Sequence, residues 1–175
     1  MITRERAVER AEALLIVERR KQPHLPELAV TLVEEHEFGW LVYWNSAEFV
    51  RYGGHRGWLV GHGPYLVDRL DGSVHHIPET TIGNPRWEQL YREQVRGERP
   101  PDPLLDAVRE VLARDGFMPA WRHLRRETSR LTLGESKDYI DAVREGGEPP
   151  EELLRRLRPD PPRLFGIDTL AGPVA

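Results

Sequence analysis

The chain has 175 residues, of which 39% are hydrophobic and 31% charged, a balance typical of a water-soluble globular protein. Its formal net charge of -4 argues against a nucleic-acid binder, because such proteins usually present a basic surface to the phosphates. It contains no cysteine, which excludes disulfides, thiolate zinc sites and a cysteine nucleophile.

The N-terminal sequence predicts a helix and no signal peptide, since a basic region followed by an apolar run is missing. Thr3 is the expected N-cap, and apolar residues recur at helical spacing until about Lys21. No stretch of the sequence approaches the roughly 20 apolar residues of a membrane span. A cytoplasmic protein without a membrane partner is therefore expected.

The next part of the chain predicts β-structure, because β-branched and aromatic residues dominate several short runs. The predicted strands are residues 28–33, 40–44, 58–60, 65–68 and 74–77. An Asp-Gly turn at residues 71–72 joins the last two as a hairpin. We expect one antiparallel sheet of three to five strands between residues 28 and 80, with the N-terminal helix packed on one face.

From Pro85 onward the apolar spacing is helical, and two linkers rich in Pro and Gly divide this half of the chain. Thr132 and Glu135 have the spacing of a capping box at the start of one helix. The predicted fold class is α+β followed by an all-helical module. The predicted parts are an α+β domain over residues 1–98, a helical module over 103–146, and a short helix with a Pro-rich tail over 147–175.

No motif of the sequence indicates catalysis or metal binding. His75 and His76 are neighbours on a predicted strand, so they point to opposite faces and cannot share one ion. The glycine-rich stretch 61–63 lies between strands and not before a helix, which favours a turn over a phosphate site. We therefore expect no catalytic residue, metal or cofactor. An enzyme remains the alternative if a deep pocket brings His and Asp or Glu side chains into mutual hydrogen bonds.

Aromatic and acidic residues are the candidates for binding another protein. Strand alternation places Trp40, Val42 and Trp44 opposite Leu41 and Tyr43, and an uncovered face would expose aromatic area typical of binding hot spots. The acidic residues are either solvated or form a patch that meets a basic partner. The candidate contact residues are Glu34, Glu35, Glu37, Trp44, Tyr52, Asp68 and Asp71.

Two stretches resemble known families. The N-terminal helix, the sequence GWLVYW at residues 39–44 and the sequence GHGPYLVDRLDG at residues 61–72 resemble the YrhB-type, or immunity protein 35, family over about residues 1–80. Residues 118–145 are similar to the helical hairpin in the C-terminal domain of the ribosomal stalk protein, with Ser129-Arg130 in place of the usual glycine.

The first resemblance implies an antitoxin of a bacterial polymorphic toxin system, and it brings no catalytic residues. It leads to the hypothesis of an immunity-type protein that binds and neutralises a cognate toxin stoichiometrically. The alternative is a chaperone-like holdase, a role suggested for the small YrhB proteins. The expected partner is a protein toxin and not nucleic acid, with self-association into a homodimer as a further option.

Overall fold

The computed structural model of the protein describes residues 1–98, 102–158 and 164–174. The chain forms two compact units, and the first combines both ends of the sequence. Unit 1 is Met1–Arg99 with Leu164–Ala175, and unit 2 is Pro100–Arg163. Unit 1 has an N-terminal helix and a five-stranded antiparallel sheet, whereas the described part of unit 2 is helical. The predicted α+β class with a helical C-terminal part is confirmed.

Unit 1 contains all the strands that the structure describes. Its elements are α1 (Arg4–Lys21), β1 (Leu28–His36), β2 (Gly39–Ser46), α2 (Ala47–Tyr52), β3 (Tyr65–Asp68), β4 (Val74–His76), α3 (Glu79–Ile82), α4 (Trp87–Gln94) and β5 (Asp168–Ala171). The strands lie in the order β1-β2-β3-β4-β5, and each pairs antiparallel with its neighbours.

Helix α1 covers one face of this sheet. The Thr3 side chain accepts a hydrogen bond from the Arg6 N–H at 3.3 Å, which confirms the predicted N-cap. The residues that α1 buries recur every four positions, so they line one helical stripe. That core consists of Ala7, Ala11 and Leu15 from the helix and Val42, Tyr65, Val67 and Val74 from the sheet.

The opposite face is also covered. Trp87 and Tyr91 of α4 pack there on Leu41 and Leu66, and Phe38 stacks on Tyr91 with ring centroids 4.7 Å apart. The sheet is therefore enclosed between α1 and α4. An uncovered sheet would have exposed a large aromatic face here. Helix α4 covers this part of the sheet instead.

The segment 58–60 differs from its predicted strand conformation. It belongs to the connection between α2 and β3, where Gly57 and Gly61 have φ values of 65° and 83°. These left-handed positions on both sides break the extended backbone that a strand ladder needs. The sheet still reaches five strands, because residues 168–171 supply β5 where an extended tail was expected. Of the tail prolines, Pro159, Pro161 and Pro162 lie outside the described residues.

Unit 2 folds around its own apolar core. Its helices are α5 (Pro103–Asp115), α6 (Phe117–Glu127), α7 (Leu133–Arg144) and α8 (Glu151–Leu157). The predicted capping box is present, with Thr132 and Glu135 each accepting a hydrogen bond from the other's backbone N–H. Leu153 and Leu154 of α8 join the core that the other three helices form. Helix α8 is thus part of this unit and not of a tail.

Candidate protein-binding site

The connection between β2 and β3 exposes an unusual amount of apolar side chain. Within eleven residues, Val50, Tyr52, Trp58 and Val60 are 44%, 70%, 52% and 71% exposed. We call helix α2 with residues 53–62 the recognition loop. Helix α2 is capped by Ser46, whose hydroxyl accepts a hydrogen bond from the Phe49 N–H at 3.0 Å. Exposed apolar residues are common singly, but a local group of this kind typically marks an interaction site.

The recognition loop is held to the sheet by one buried amide. Asn45 at the end of β2 donates from Nδ2 to the Leu59 carbonyl oxygen at 3.0 Å. Its Oδ1 accepts from the Leu59 N–H at 2.9 Å and from the Ser46 N–H at 2.9 Å. Both backbone groups of Leu59 are therefore bound, while Trp58 and Val60 on either side of it point their side chains into solvent.

Three further contacts fix the shape of the recognition loop. The Trp58 ring stacks against Phe49 of α2, with centroids 6.4 Å apart. His62 lies flat on Trp44 at 4.0 Å, and burial lowers the pKa of His62. A Cβ atom at Gly57 would approach the Ser46 hydroxyl to 2.6 Å, so only glycine fits there without movement. The exposed side chains are thus presented by a backbone that is ordered before any partner binds.

The acidic candidates of β1 and the following turn are mostly engaged within the domain. Glu35 pairs with Arg69 at 2.7 Å, and Glu37 pairs with Arg92. Glu34 is exposed and lies next to Tyr43, whose pKa is raised by burial first and by this carboxylate second. Two of the three glutamates therefore have cationic partners already, which reduces the attraction that this patch can offer to a basic surface.

Asp68, one of the predicted contact residues, is almost fully buried within unit 1. It is buried and accepts hydrogen bonds from the Tyr91 hydroxyl, from Arg96 Nη2 at 3.1 Å and from the Leu70 N–H at 2.7 Å. Burial alone would raise the pKa of Asp68, but these hydrogen bonds outweigh it and the pKa is lowered. The alternating pattern of β3 turns this side chain toward α4, where it fixes the helix to the sheet.

The remaining candidates divide between turn, core and surface. Asp71 is exposed, and its carboxylate accepts hydrogen bonds from the N–H and hydroxyl of Ser73, which closes the predicted turn. Trp44 packs into the α1 core beneath His62. Tyr52 lies open to solvent in the recognition loop. The structure therefore places only this predicted aromatic among the exposed apolar residues, and Val50, Trp58 and Val60 were missed because residues 58–60 read as a strand.

The structure also contains a hydrogen-bonded group of Asp71, Ser73 and His75, but its geometry is not that of a nucleophilic triad. Ser73 Oγ donates to Asp71 at 2.7 Å and lies 2.7 Å from His75 Nε2. The other ring nitrogen, Nδ1, contacts the Thr169 hydroxyl at 3.0 Å instead of a carboxylate. Ser73 and His75 are both buried, and burial lowers the pKa of His75. The group joins β4 to β5, and its histidine lacks the carboxylate partner that orients the imidazole of a catalytic triad.

Residues 1–98, 102–158 and 164–174 provide neither a metal site nor a membrane-spanning helix. No group of three or more His, Asp or Glu side chains there is placed to hold a metal ion. Over the same residues, no helix has the length and apolar character needed to cross a membrane.

Comparison with known families identifies the part of the chain that carries the recognition loop. Residues 5–90 match the family model described as Immunity protein 35. Over this segment the chain is similar to the immunity protein 35 family. The match covers slightly under half of the chain, from α1 into α4, and it leaves out β5 and unit 2. The predicted family is confirmed, whereas the similarities to the YrhB and ribosomal stalk proteins stay predictions. None of the curated proteins or solved structures compared with the chain matches it.

Proposed function

We propose that this protein neutralises a cognate bacterial toxin by binding it one to one in the cytoplasm, and that the recognition loop makes the central contact. The observation that carries the proposal is the exposure of Trp58 and Val60 on either side of a backbone fixed by Asn45. This feature lies within the segment of the immunity protein 35 family. The proposed action is occlusion of the toxin and not catalysis.

Two physical arguments favour the recognition loop over the acidic residues. Large aromatic side chains that lose their water on binding typically dominate interface energy, at about 2 kcal/mol or more each. A loop that is already ordered loses less conformational entropy on association, so more of that gain appears as affinity. The acidic side chains offer less, because Glu35 and Glu37 would exchange one cationic partner for another. Charged residues around the loop then affect mainly the association rate.

The test uses the protein encoded by the neighbouring reading frame as the candidate toxin. The wild-type protein is expected to restore growth when co-expressed with that toxin and to bind it with one-to-one stoichiometry in calorimetry. Trp58→Ala is expected to weaken binding by about 2 kcal/mol, or roughly 30-fold, because the indole area is no longer desolvated. Leu70→Ala is the matched control, since Leu70 is 72% exposed but lies outside the recognition loop.

The outcomes separate this function from its rivals. Unchanged toxin affinity in both the Trp58 and Leu70 variants would show that the recognition loop does not make the central contact, while toxin binding itself would stand. No binding and no growth protection by the wild-type protein would refute the immunity function itself. Suppression of aggregation of unrelated proteins at substoichiometric amounts would instead favour the holdase alternative.

A further inference from the structure

The edge of the sheet at β4 is completed by a segment from the far end of the chain. Strand β5 follows unit 2 and lies beyond the end of the family match at residue 90. It pairs antiparallel with β4, with register pairs Val74–Ala171, His75–Thr169 and His76–Asp168. The family segment alone would leave β4 as an open edge, and this chain fills that edge with its own residues.

Unit 1 holds this segment largely through main-chain atoms. Beyond the β4 ladder, four hydrogen bonds join main-chain atoms of this segment to α1, the β3–β4 turn, α3 and α4. With the donor first, they are Thr81 Oγ1 to Phe165 O at 2.9 Å, Ile167 N to Gln94 Oε1 at 3.0 Å, Arg10 Nη2 to Gly172 O at 3.0 Å and Val174 N to Asp71 O at 2.8 Å. Such bonds recognise an extended backbone whatever its side chains are.

Side-chain selectivity comes from three positions of the segment. Ile167 is buried in the core formed with Trp87 and Tyr91. The Thr169 hydroxyl contacts His75 Nδ1 at 3.0 Å. A register shift between Val74 and His75 leaves one extra residue in β5, and Ala171 therefore turns to the other face and packs toward α1. Unit 1 thus selects an apolar residue at position 167, a hydroxyl residue at position 169 and a small residue at position 171.

We propose that the β4 edge is a peptide-binding slot for an extended segment of this pattern, and that residues 164–174 are its built-in ligand. The arrangement has both components of recognition by strand addition. Main-chain hydrogen bonds supply affinity, and pockets for particular side chains supply specificity. The slot is distinct from the recognition loop and does not depend on the proposed toxin binding. Its ligand segment returns to unit 1 after unit 2, which in the sequence lies between α4 and β5.

The test keeps the full chain and cuts it after folding. A specific protease site replaces residues 159–163, and the purified protein is cleaved. The fragment from residue 164 onward is expected to stay bound in size-exclusion chromatography. A fluorescent peptide of residues 164–174 added in excess is expected to replace it, as measured by anisotropy. The same peptide carrying Ile167→Asp is expected to bind at least about tenfold more weakly, because it loses the buried side chain and brings an unpaired charge into the core.

Two further measurements locate the binding. Hydrogen exchange is expected to show that the peptide protects residues 74–77, and a cleaved Trp58→Ala protein is expected to bind it unchanged. Equal binding of the normal and Ile167→Asp peptides would overturn the proposal, as would protection confined to the recognition loop. Immediate loss of the fragment, with or without unfolding of the sheet, would also overturn it, because the segment would then not act as a ligand.

Discussion

The substitution Asn45→Ala tests whether the recognition loop is held in place by one amide. It breaks a long contact of the Asn45 Nδ2 with His62 Nε2 at 3.5 Å and three shorter hydrogen bonds, two to Leu59 and one to Ser46. Each contributes about 1 kcal/mol net to stability. The freed groups of half-buried Leu59 can turn to water, whereas the N–H of fully buried Ser46 loses its acceptor. We therefore expect the free energy of unfolding to fall by about 2–3 kcal/mol.

The more specific consequence is local. The Leu59 amide should exchange its hydrogen at least about tenfold faster in Asn45→Ala, since 1.4 kcal/mol of lost protection is a factor of ten. Exchange is followed residue by residue by nuclear magnetic resonance. The backbone amides of α7 in the same variant are the internal control, because α7 lies in the other compact unit and its exchange should stay unchanged. Unchanged Leu59 exchange in the alanine variant would show that the amide does not order the loop, and the argument from preorganisation would fail.

Two further predictions concern the buried polar groups of unit 1. Tyr91→Phe should lower the free energy of unfolding by about 1–3 kcal/mol in urea titrations, because buried Asp68 loses a hydrogen-bond donor. Tyr139→Phe is the control. The buried Tyr139 hydroxyl has no partner among the described residues, so its removal should change the stability little. A comparable loss in both variants would contradict this role. Acid should also destabilise the protein, because burial lowers the pKa of three histidines below the ordinary value of 6.5, namely His62, His75 and His76. Their contribution is complete above pH 6.5 and is lost as the pH falls from there through the lower folded-state pKa values, so a urea midpoint that stays constant from pH 7.5 to 5 would refute it.

The parts of the fold that sequence predicted are those with strong local signals. Thr3 and Thr132 are side-chain caps, and their hydrogen bonds form within three residues of the cap. The period-2 pattern of β2 likewise separates Val42, which packs toward α1, from Leu41, which packs toward α4. The fifth strand could not be found in this way, because β5 is short and mostly exposed, and its partner β4 lies about 90 residues earlier in the chain.

The candidate site was predicted less well for a related reason. Trp58 and Val60 flank Leu59 in a run that has the composition of a strand, and nothing local shows that a side chain of β2 binds both backbone groups of Leu59. Asp68 shows the opposite error. An aspartate beside a hairpin turn is usually exposed. Here Tyr91 of α4 and Arg96, which follows that helix, lie more than 20 residues later in the chain and bury it.

The exposure of Trp58 and Val60 and the burial of Asp68 both depend on contacts with residues distant in the sequence. Together they change the kind of interface that the domain can form. Acidic side chains that look free in the sequence are taken up by arginines and a tyrosine of α4 and its surroundings, so their charge stabilises the domain. Apolar side chains that look like core are excluded from it by a loop whose backbone is satisfied locally. A surface left with fewer free charges and more fixed apolar area gains most of its affinity from desolvation. For the proposed interface, we expect substitutions in the recognition loop to change mainly the rate at which the partner dissociates. Changes to the surrounding charges are expected to alter mainly the association rate.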